Sequence, residues 1–219
     1  MYRMTMNYRY AEQIFESVQL QRTKYEILDI VDRAPALRRA ADSKSEFAYD
    51  PDAMNAWFDE EFKARKWEYH PYVIPDRSTG LQADFKKGPV QVEIQFGNIA
   101  RAIYDLFKMQ VSYSQNAIDV GVLILPVQAL AKQVGDNVAN FERIRRELPY
   151  AKLSITLPIW VIGLSHDPLP SSGPEPTPKP TIEIPTALRR AVAKQVTLEE
   201  SPKGASAPSL RSRRRSRRP

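Results

Sequence analysis

Cysteine is absent from the 219-residue sequence, and histidine occurs only twice, at positions 70 and 166. The lack of cysteine excludes a disulfide scaffold, a thiol nucleophile and any cysteine-ligated zinc or iron–sulfur site. Two histidines also argue against a histidine-rich metal site. No apolar run approaches the roughly 18 residues that a membrane span needs, and the first residues lack the apolar stretch of a secretory signal. These absences predict a cytoplasmic protein.

The excess positive charge lies at one end of the chain. Residues 1–167 hold 21 basic and 22 acidic side chains, whereas residues 168–219 hold 11 basic and 4 acidic ones. Ten of the 18 prolines also lie in this second part, as do six arginines within residues 211–218. Because proline fixes φ and lacks an N–H, such a segment does not build helix or sheet interiors. The sequence therefore predicts a folded domain over 1–167 and a Pro/Arg-rich, largely disordered tail over 168–219.

Residues 1–167 alternate helical and strand patterns. Apolar spacing predicts helices within 10–31, from Pro51 to about Trp67, and over 98–113, 127–134 and 138–147. In the helix over 98–113 the inward residues are expected to be Ile99, Ile103, Leu106 and Phe107. Strands are predicted over 83–85, 90–96, 118–125 and 157–164, with residues 68–80 irregular. This order predicts an α/β fold, with a central mixed β-sheet flanked by helices on both sides.

The hairpin formed by the first two predicted strands carries the most informative polar residues. Side chains alternate along a strand, so Glu93 and Gln95 share one face. The turn at 86–89 would fold Asp84 back beside Glu93. Two such carboxylates suit Mg²⁺, which takes few protein ligands and can activate water at a scissile phosphate. The competing interpretation is an ordinary antiparallel hairpin with a solvated polar face.

The spacing Asp84-X8-Glu93-X-Gln95 resembles the PD-(D/E)XK nuclease signature, with glutamine at the usual lysine position. Residues 92–98 (VEIQFGN) are similar to the active-site strand of the BglII and BstYI group of type II restriction endonucleases, which is related to BamHI. Residues 102–107 and 117–126 resemble the helix and strand that follow there, and 159–164 the last core strand. The resemblance covers most of 1–167 and implies a restriction-endonuclease-like fold.

This resemblance implies roles for individual residues. Asp84 and Glu93 would bind Mg²⁺ together with the backbone carbonyl of Ile94. Gln95 would orient the attacking water, because an amide does not titrate as a general base does. Asp76, preceded by proline, is a competing metal ligand, but Asp84 is preferred because it lies on the adjoining strand. His70, beside Tyr69, is a candidate for a further polar group near the water, with a plain loop residue as the alternative.

Candidate DNA-binding residues follow from the same resemblance. Asn98 occupies a base-reading position and could pair with adenine, with a helix cap as the alternative. The loop 135–140 lies where the family has a recognition loop, and either reads bases or caps a helix; its candidates are Asp136, Asn137 and Asn140. Phosphate contacts are expected from Lys44, Lys86, Lys87 and Arg101, each of which is otherwise a solvated charge. The arginine-rich tail could add salt-sensitive attraction to DNA.

The implied activity is that of a type II restriction endonuclease. It would be a Mg²⁺-dependent homodimer that hydrolyses double-stranded DNA at a palindromic site containing GATC, leaving 5′-phosphates and 5′ overhangs. A cognate DNA methyltransferase in the same prokaryotic cell would protect the host. The alternatives are a repair or recombination nuclease of the same fold, and a non-catalytic DNA-binding protein that uses its arginine-rich tail.

Overall fold

The computed structural model describes residues 1–167, and the predicted tail over 168–219 lies outside the described residues. Its centre is a six-stranded sheet in the order β1-β6-β5-β4-β3-β2. The strands are β1 (Tyr2–Tyr8), β2 (Glu68–Tyr69), β3 (Phe85–Lys87), β4 (Val90–Ile94), β5 (Val120–Pro126) and β6 (Ile159–Ser165). The pairs β4/β5 and β5/β6 are parallel and the other three are antiparallel, so the prediction of a mixed sheet is confirmed.

Helices cover both faces of this sheet. They are α1 (Ala11–Phe15), α2 (Gln21–Arg33), α3 (Pro51–Ala64), α4 (Ile99–Ser114), α5 (Gln128–Val134) and α6 (Phe141–Glu147). On one face, Phe15 of α1 packs against Trp160 and Phe62 of α3 stacks on Phe85. The central strands β5 and β6 are buried along their whole length, as their apolar runs predicted. No helix among residues 1–167 is long and apolar enough to cross a membrane.

The opposite face of the sheet carries α4, which supplies part of the candidate site. A Cβ at Gly121 of β5 would lie 2.5 Å from Sδ of Met109, so the glycine permits close approach of this helix to the sheet. Gly121 pairs with Gln91 of β4, and Leu123 pairs with Glu93. Residues paired across neighbouring strands point to the same face. Gln91 and Glu93 therefore lie beneath α4.

Three sequence predictions about this fold were wrong. Residues 68–80 were expected to be irregular, but Glu68–Tyr69 form the short strand β2 by pairing with β3, and Arg77–Thr79 form a single 3-10 turn. Strand β1 was not predicted, because its outward residues are exposed and it carries no apolar run; it is placed at the sheet edge by pairing with β6. Ile103 and Phe107 were expected to face inward, yet they are 49% and 52% exposed. The buried stripe of α4 runs instead through Ala102, Leu106 and Met109. This stripe also obeys helical spacing, and only the packing of α4 on the sheet selects it.

Candidate active site

The hairpin of β3 and β4 brings Asp84 to the end of β4. Phe85 pairs with Val92, so Asp84 lies one residue beyond the paired strand, next to Glu93. The Oδ2 atom of Asp84 accepts a hydrogen bond from the backbone N–H of Ile94 at 2.8 Å. The hairpin therefore holds the two carboxylates on adjoining, hydrogen-bonded strands, as the sequence predicted. Its turn is shorter than the predicted 86–89, because Lys86 and Lys87 belong to β3 and pair with Gln91 and Val90, which leaves only Gly88 and Pro89 in the turn.

Glu93 lies in the interior, with 0% exposure. Its Oε1 accepts a hydrogen bond from Nε2 of Gln91 at 2.7 Å, and its Oε2 lies 2.5 Å from Nζ of Lys108. The solvated polar face that was the competing interpretation is not present, because α4 covers it. A fully buried carboxylate with both oxygens engaged is costly to build, which favours a functional role for this position.

Gln95 is held at both ends of its amide. Nε2 donates to Oδ2 of Asp105 at 2.9 Å, and Oε1 accepts from the backbone N–H of Gly97 at 2.7 Å. A Cβ at Gly97 would lie 2.8 Å from that oxygen, so glycine leaves the room that the Gln95 side chain occupies. An amide oxygen and an amide NH₂ each have capacity for one further hydrogen bond, which leaves Gln95 able to contact a water.

Burial and mutual electrostatic interactions shift the pKa values of Asp84, Glu93 and Lys108. Burial raises the pKa of Asp84, although the charge of Lys108 opposes the rise. Burial and the nearby charge of Asp84 raise the pKa of Glu93 well above its usual range. Burial alone would lower the pKa of Lys108, but the charges of Glu93, Asp105 and Asp84 outweigh it and raise that pKa. Lys108 thus remains a cation among three carboxyl groups.

Lys108 and Asp105 were missed by the sequence analysis. They lie three residues apart on α4 and form an ion pair at 3.0 Å. Both are buried, at 6% and 5% exposure, on the same face as Leu106 and Met109. Two charged residues within the apolar stripe of an amphipathic helix would have indicated a functional site. They can be recognised as such only after the buried stripe of α4 is known.

The donor atoms fit a magnesium ion. Among residues 1–167, no group of three or more acidic or histidine side chains is placed to hold a metal. Asp84 and Glu93 nevertheless provide two hard oxygen donors, and a cation, the ammonium of Lys108, already contacts Glu93. Mg²⁺ typically takes one or two carboxylates and retains several waters, so two carboxylates and one backbone carbonyl would suffice.

Tyr69 and His70 lie beside Asp84. The backbone N–H of His70 donates to the carbonyl of Asp84 at 3.0 Å, and the His70 ring stacks on Tyr69 at 3.8 Å. The Tyr69 hydroxyl is turned toward α3, where it donates to Asp59 at 2.9 Å. His70 adopts a left-handed backbone conformation (φ 50°) and is exposed. A role for His70 near the attacking water stays a prediction.

The structure brings Asn98 and the loop 135–140 together. The backbone N–H of Ala139 donates to the backbone carbonyl of Gly97 at 2.8 Å, and the backbone N–H of Ile99 donates to the backbone carbonyl of Asn137 at 3.1 Å. Asn98 also forms an isolated bridge with Val138. Residues that are far apart in the sequence thus form one surface next to the end of β4.

Both asparagines at the borders of this surface are helix caps. Oδ1 of Asn98 accepts from Ala100 at 2.8 Å, and Oδ1 of Asn140 accepts from Arg143 at 3.0 Å. Asn98 is exposed all the same, as are Asp136 and Asn137. Capping uses the side-chain oxygen of Asn98, while its side-chain NH₂ remains at the surface. Roles of these residues in reading bases stay predictions.

The four candidate phosphate contacts have different surroundings. Lys44 and Arg101 are exposed. Lys86 is half-buried and lines a cavity of about 30 Å³. Nζ of Lys87 donates to Oε2 of Glu26 at 2.5 Å and to the carbonyl of Arg65 at 3.0 Å, which gives it a structural role. Phosphate binding by these residues stays a prediction.

A carboxylate pair at the end of a hairpin in a mixed sheet, with an amide two residues further on and a polar surface beside it, is an arrangement that suits metal-assisted hydrolysis. Residues 4–164 match the sequence model of the restriction endonuclease BglII/BglIII family. The chain therefore belongs to that family, and the family recognised from the sequence is confirmed.

Individual relatives support the same assignment. An 85-residue segment is 29% identical to the type II restriction enzyme BamHI of Bacillus amyloliquefaciens, covering 39% of this chain and 38% of BamHI. The chain thus spans less than half of the length of that relative. The fold is similar to the crystal structure of BglII complexed with a DNA 16-mer (TM-score 0.66, 20% identity, 76% of this chain and 78% of BglII). It is also similar to free BglII (TM-score 0.59, 20% identity, 76% and 81%). The prediction of a restriction-endonuclease-like fold is confirmed.

Proposed function

We propose that this protein hydrolyses double-stranded DNA at a palindromic site that contains GATC, in a Mg²⁺-dependent reaction that leaves 5′-phosphates and 5′ overhangs. The observation that carries the proposal is the pair of half-buried Asp84 and fully buried Glu93 at the end of a hairpin, next to Gln95. A metal-dependent nuclease needs acidic side chains that are rigidly held. Hydrogen bonds fix each of these three side chains.

The residues of the site have different roles in the proposed reaction. Asp84 and Glu93 would hold Mg²⁺, with the Ile94 carbonyl as a third protein oxygen. Bound there, Mg²⁺ supplies stabilisation of charge on the phosphate and promotes deprotonation of the attacking water. Gln95 orients the water through the free hydrogen-bonding capacity of its amide. His70 is a candidate for a second contact to the water.

DNA specificity is assigned to the surface next to the end of β4. An exposed asparagine amide suits the adenine edge, and an exposed carboxylate can accept from cytosine N4. Asn98 and Asn137 would thus read adenine, and Asp136 would read cytosine. Asn140 is half-buried and remains a further candidate for adenine. Lys44, Lys86, Lys87 and Arg101 are candidates for sequence-independent phosphate contacts.

A homodimer is the second part of the proposal. The exposed side of α4 carries Ile103, Tyr104 and Phe107, and the two aromatic rings stack at 5.9 Å. Such a cluster of large apolar side chains favours association. A second copy of this chain is the proposed occupant, because a twofold dimer matches the symmetry of a palindromic duplex. The enzyme would act in the cytoplasm of a prokaryote, where a DNA methyltransferase protects the same sites.

The test is a digest of unmethylated plasmid DNA with Mg²⁺, with sequencing of the product ends. We expect discrete fragments whose ends contain GATC, and no products from Glu93→Gln. Glu16→Gln, a change at an exposed glutamate far from Glu93 in the sequence, is the matched control and should cut like the wild type. A smear of products from the wild type would instead identify a nuclease without a fixed site. DNA binding without cleavage would identify a DNA-binding protein and contradict the proposal.

A further inference from the structure

Lys108 is a charged side chain on the buried face of α4, and the reaction proposed above assigns it no role. Its exposure is 6%, and its helical neighbour Met109 is fully buried. A buried lysine is costly unless its charge is paired, and an unbranched apolar side chain would fill the same volume at lower cost. The groups that contact its ammonium should therefore explain its presence.

Those contacts form a continuous chain between Glu93 of β4 and Gln95, which directly follows that strand. Nζ of Lys108 lies 2.5 Å from Oε2 of Glu93 and 3.0 Å from Oδ1 of Asp105. The other oxygen of Asp105, Oδ2, accepts from Nε2 of Gln95 at 2.9 Å. At the other end of the Gln95 amide, Oε1 accepts from the backbone N–H of Gly97 at 2.7 Å. Two residues of α4 thus connect Glu93 to Gln95 through side-chain contacts.

The charge balance of the site also depends on this helix. Asp84, Glu93 and Asp105 are three carboxyl groups in a largely buried space, and Gln95 carries no charge. Lys108 is the only basic side chain among residues 1–167 that forms an ion pair with Glu93. The close approach of α4 to β5 at Gly121 is what allows this ammonium to reach the strand.

We propose that Lys108 and Asp105 are positioning residues of the cleavage site. From α4 they fix the side-chain conformations of Glu93 and Gln95. The nuclease signature has a lysine at the position of Gln95, and in this chain Lys108 supplies that positive charge from the helix instead. The inference rests on the proposed function, because positioning matters only if Glu93 and Gln95 act in cleavage.

Single-turnover cleavage with Mg²⁺ tests the role of the charge. Lys108→Met should lower the rate by about 100-fold, since a displacement of about 1 Å at a reacting group has an effect of this size. DNA binding in Ca²⁺ should change by less than threefold. Lys108→Arg should recover part of the lost rate. The double variant Lys108→Met/Gln95→Lys should cleave at least tenfold faster than Lys108→Met, because the lysine at position 95 returns the positive charge.

A purely structural role of Lys108 would not give this pattern of rescue. Lys132→Met on α5 removes an exposed lysine and is the matched control, with a rate within twofold of the wild type. A rate for Lys108→Met within threefold of the wild type would overturn the proposal. So would a loss of rate that is matched by an equal loss of DNA binding, or a double variant that is no faster than Lys108→Met.

A second measurement uses the metal-free full-length protein and does not depend on cleavage. Asp105→Asn keeps an oxygen for Lys108 but presents NH₂ to Nε2 of Gln95, so the two donors oppose each other. The side-chain NH₂ signals of Gln95 in a ¹⁵N-correlated NMR spectrum should shift and exchange faster with water in this variant. Unchanged Gln95 signals would contradict the positioning role of Asp105, including in the case that Lys108→Met does not fold.

The two measurements separate this inference from the proposed function. A wild-type protein that does not cut DNA contradicts the proposed function, and the Gln95 signals then decide whether Asp105 positions that side chain. A wild-type protein that cuts, alongside an equally active Lys108→Met variant, contradicts only the role of Lys108.

Discussion

The carboxylate of Asp84 is tied to the backbone of Ile94, from which its Oδ2 accepts a hydrogen bond at 2.8 Å. This bond crosses from the start of β3 to the end of β4, so one catalytic candidate is fastened to the strand that carries the other. Ile94 is also the residue whose carbonyl is proposed as the third oxygen ligand. The hairpin therefore presents a compact set of oxygens without support from a loop.

Asp84→Asn is the first prediction. The variant amide oxygen can still accept from Ile94, so the fold should be retained while the charge is lost. Metal-ion stabilisation of a transition state is worth several kcal/mol, so we expect a loss of cleavage of about 100-fold or more. Single-turnover kinetics measure the rate, and circular dichroism checks the fold. Asp76→Asn changes the competing aspartate, which bonds only within its own turn, and should leave cleavage nearly unchanged. The reverse pattern would assign the metal to Asp76.

The second prediction separates the two roles of Asn98. Asn98→Asp keeps a side-chain oxygen for the helix cap, whereas Asn98→Ala removes it. Urea unfolding should show a loss of about 1 kcal/mol for Asn98→Ala and little change for Asn98→Asp. Both variants should lose discrimination at an adenine of the cleaved site, because neither offers the paired donor and acceptor. Sequencing of cleavage products checks this, and unchanged specificity in Asn98→Asp would leave Asn98 as a cap only.

The third prediction concerns Lys87 and its partner Glu26. Burial raises the pKa of Glu26, but the hydrogen bond and charge of Lys87, with a further hydrogen bond from Arg22, leave it below its usual value. Lys87→Met should therefore lower the free energy of unfolding by about 1 kcal/mol at neutral pH. A carboxyl group whose pKa is lowered in the folded state stabilises the fold above its unfolded pKa, and this stabilisation is lost as the pH falls through the folded pKa.

The stability difference between the wild type and Lys87→Met should consequently shrink below about pH 4. Urea unfolding at several pH values measures it. Lys86→Met is the neighbouring control, since Lys86 forms no ion pair with the residues that the structure describes. A difference that stays constant with pH would show that Lys87 stabilises the fold through packing on Trp67 rather than through charge.

The fourth prediction tests the exposed side of α4. Phe107→Glu places a charge in the proposed dimer interface, where a second copy would bury it without a partner. Sedimentation should show a shift from dimer to monomer at micromolar concentration, with cleavage reduced in parallel. Val18→Glu alters another exposed apolar residue, outside the proposed interface, and should leave the assembly unchanged. A wild type that sediments as a monomer at the same concentration would contradict the proposed dimer.

Several parts of the fold and site could be predicted because they depend on neighbours in the sequence. The strands β5 and β6 were predicted from their apolar runs and β4 from its alternating pattern. Helix α3 was predicted from Asp50, whose side chain accepts from the amides of Asp52 and Ala53. The turn at Gly88 and Pro89 brings Asp84 back to Glu93. Asn98 caps α4, as one of its two interpretations anticipated.

Other parts depend on residues far apart in the chain and could not be predicted. The amphipathic pattern of α4 allows two stripes, and contact with Gly121 rather than local propensity selects the one that turns Lys108 inward and Phe107 outward. Strand β1 has no apolar run of its own and forms because β6 offers an edge. The approach of loop 135–140 to Asn98 likewise rests on long-range backbone hydrogen bonds.

The amino-acid sequence alone determined the spacing of Asp84, Glu93 and Gln95 and the family to which they belong, because strand alternation and turn chemistry act over a few residues. Only the tertiary structure decided that Glu93 is fully buried, and that Lys108 and Asp105 reach it from a helix. The physical reason is that a side chain's charge environment depends on which elements pack together, and packing is settled by the whole fold.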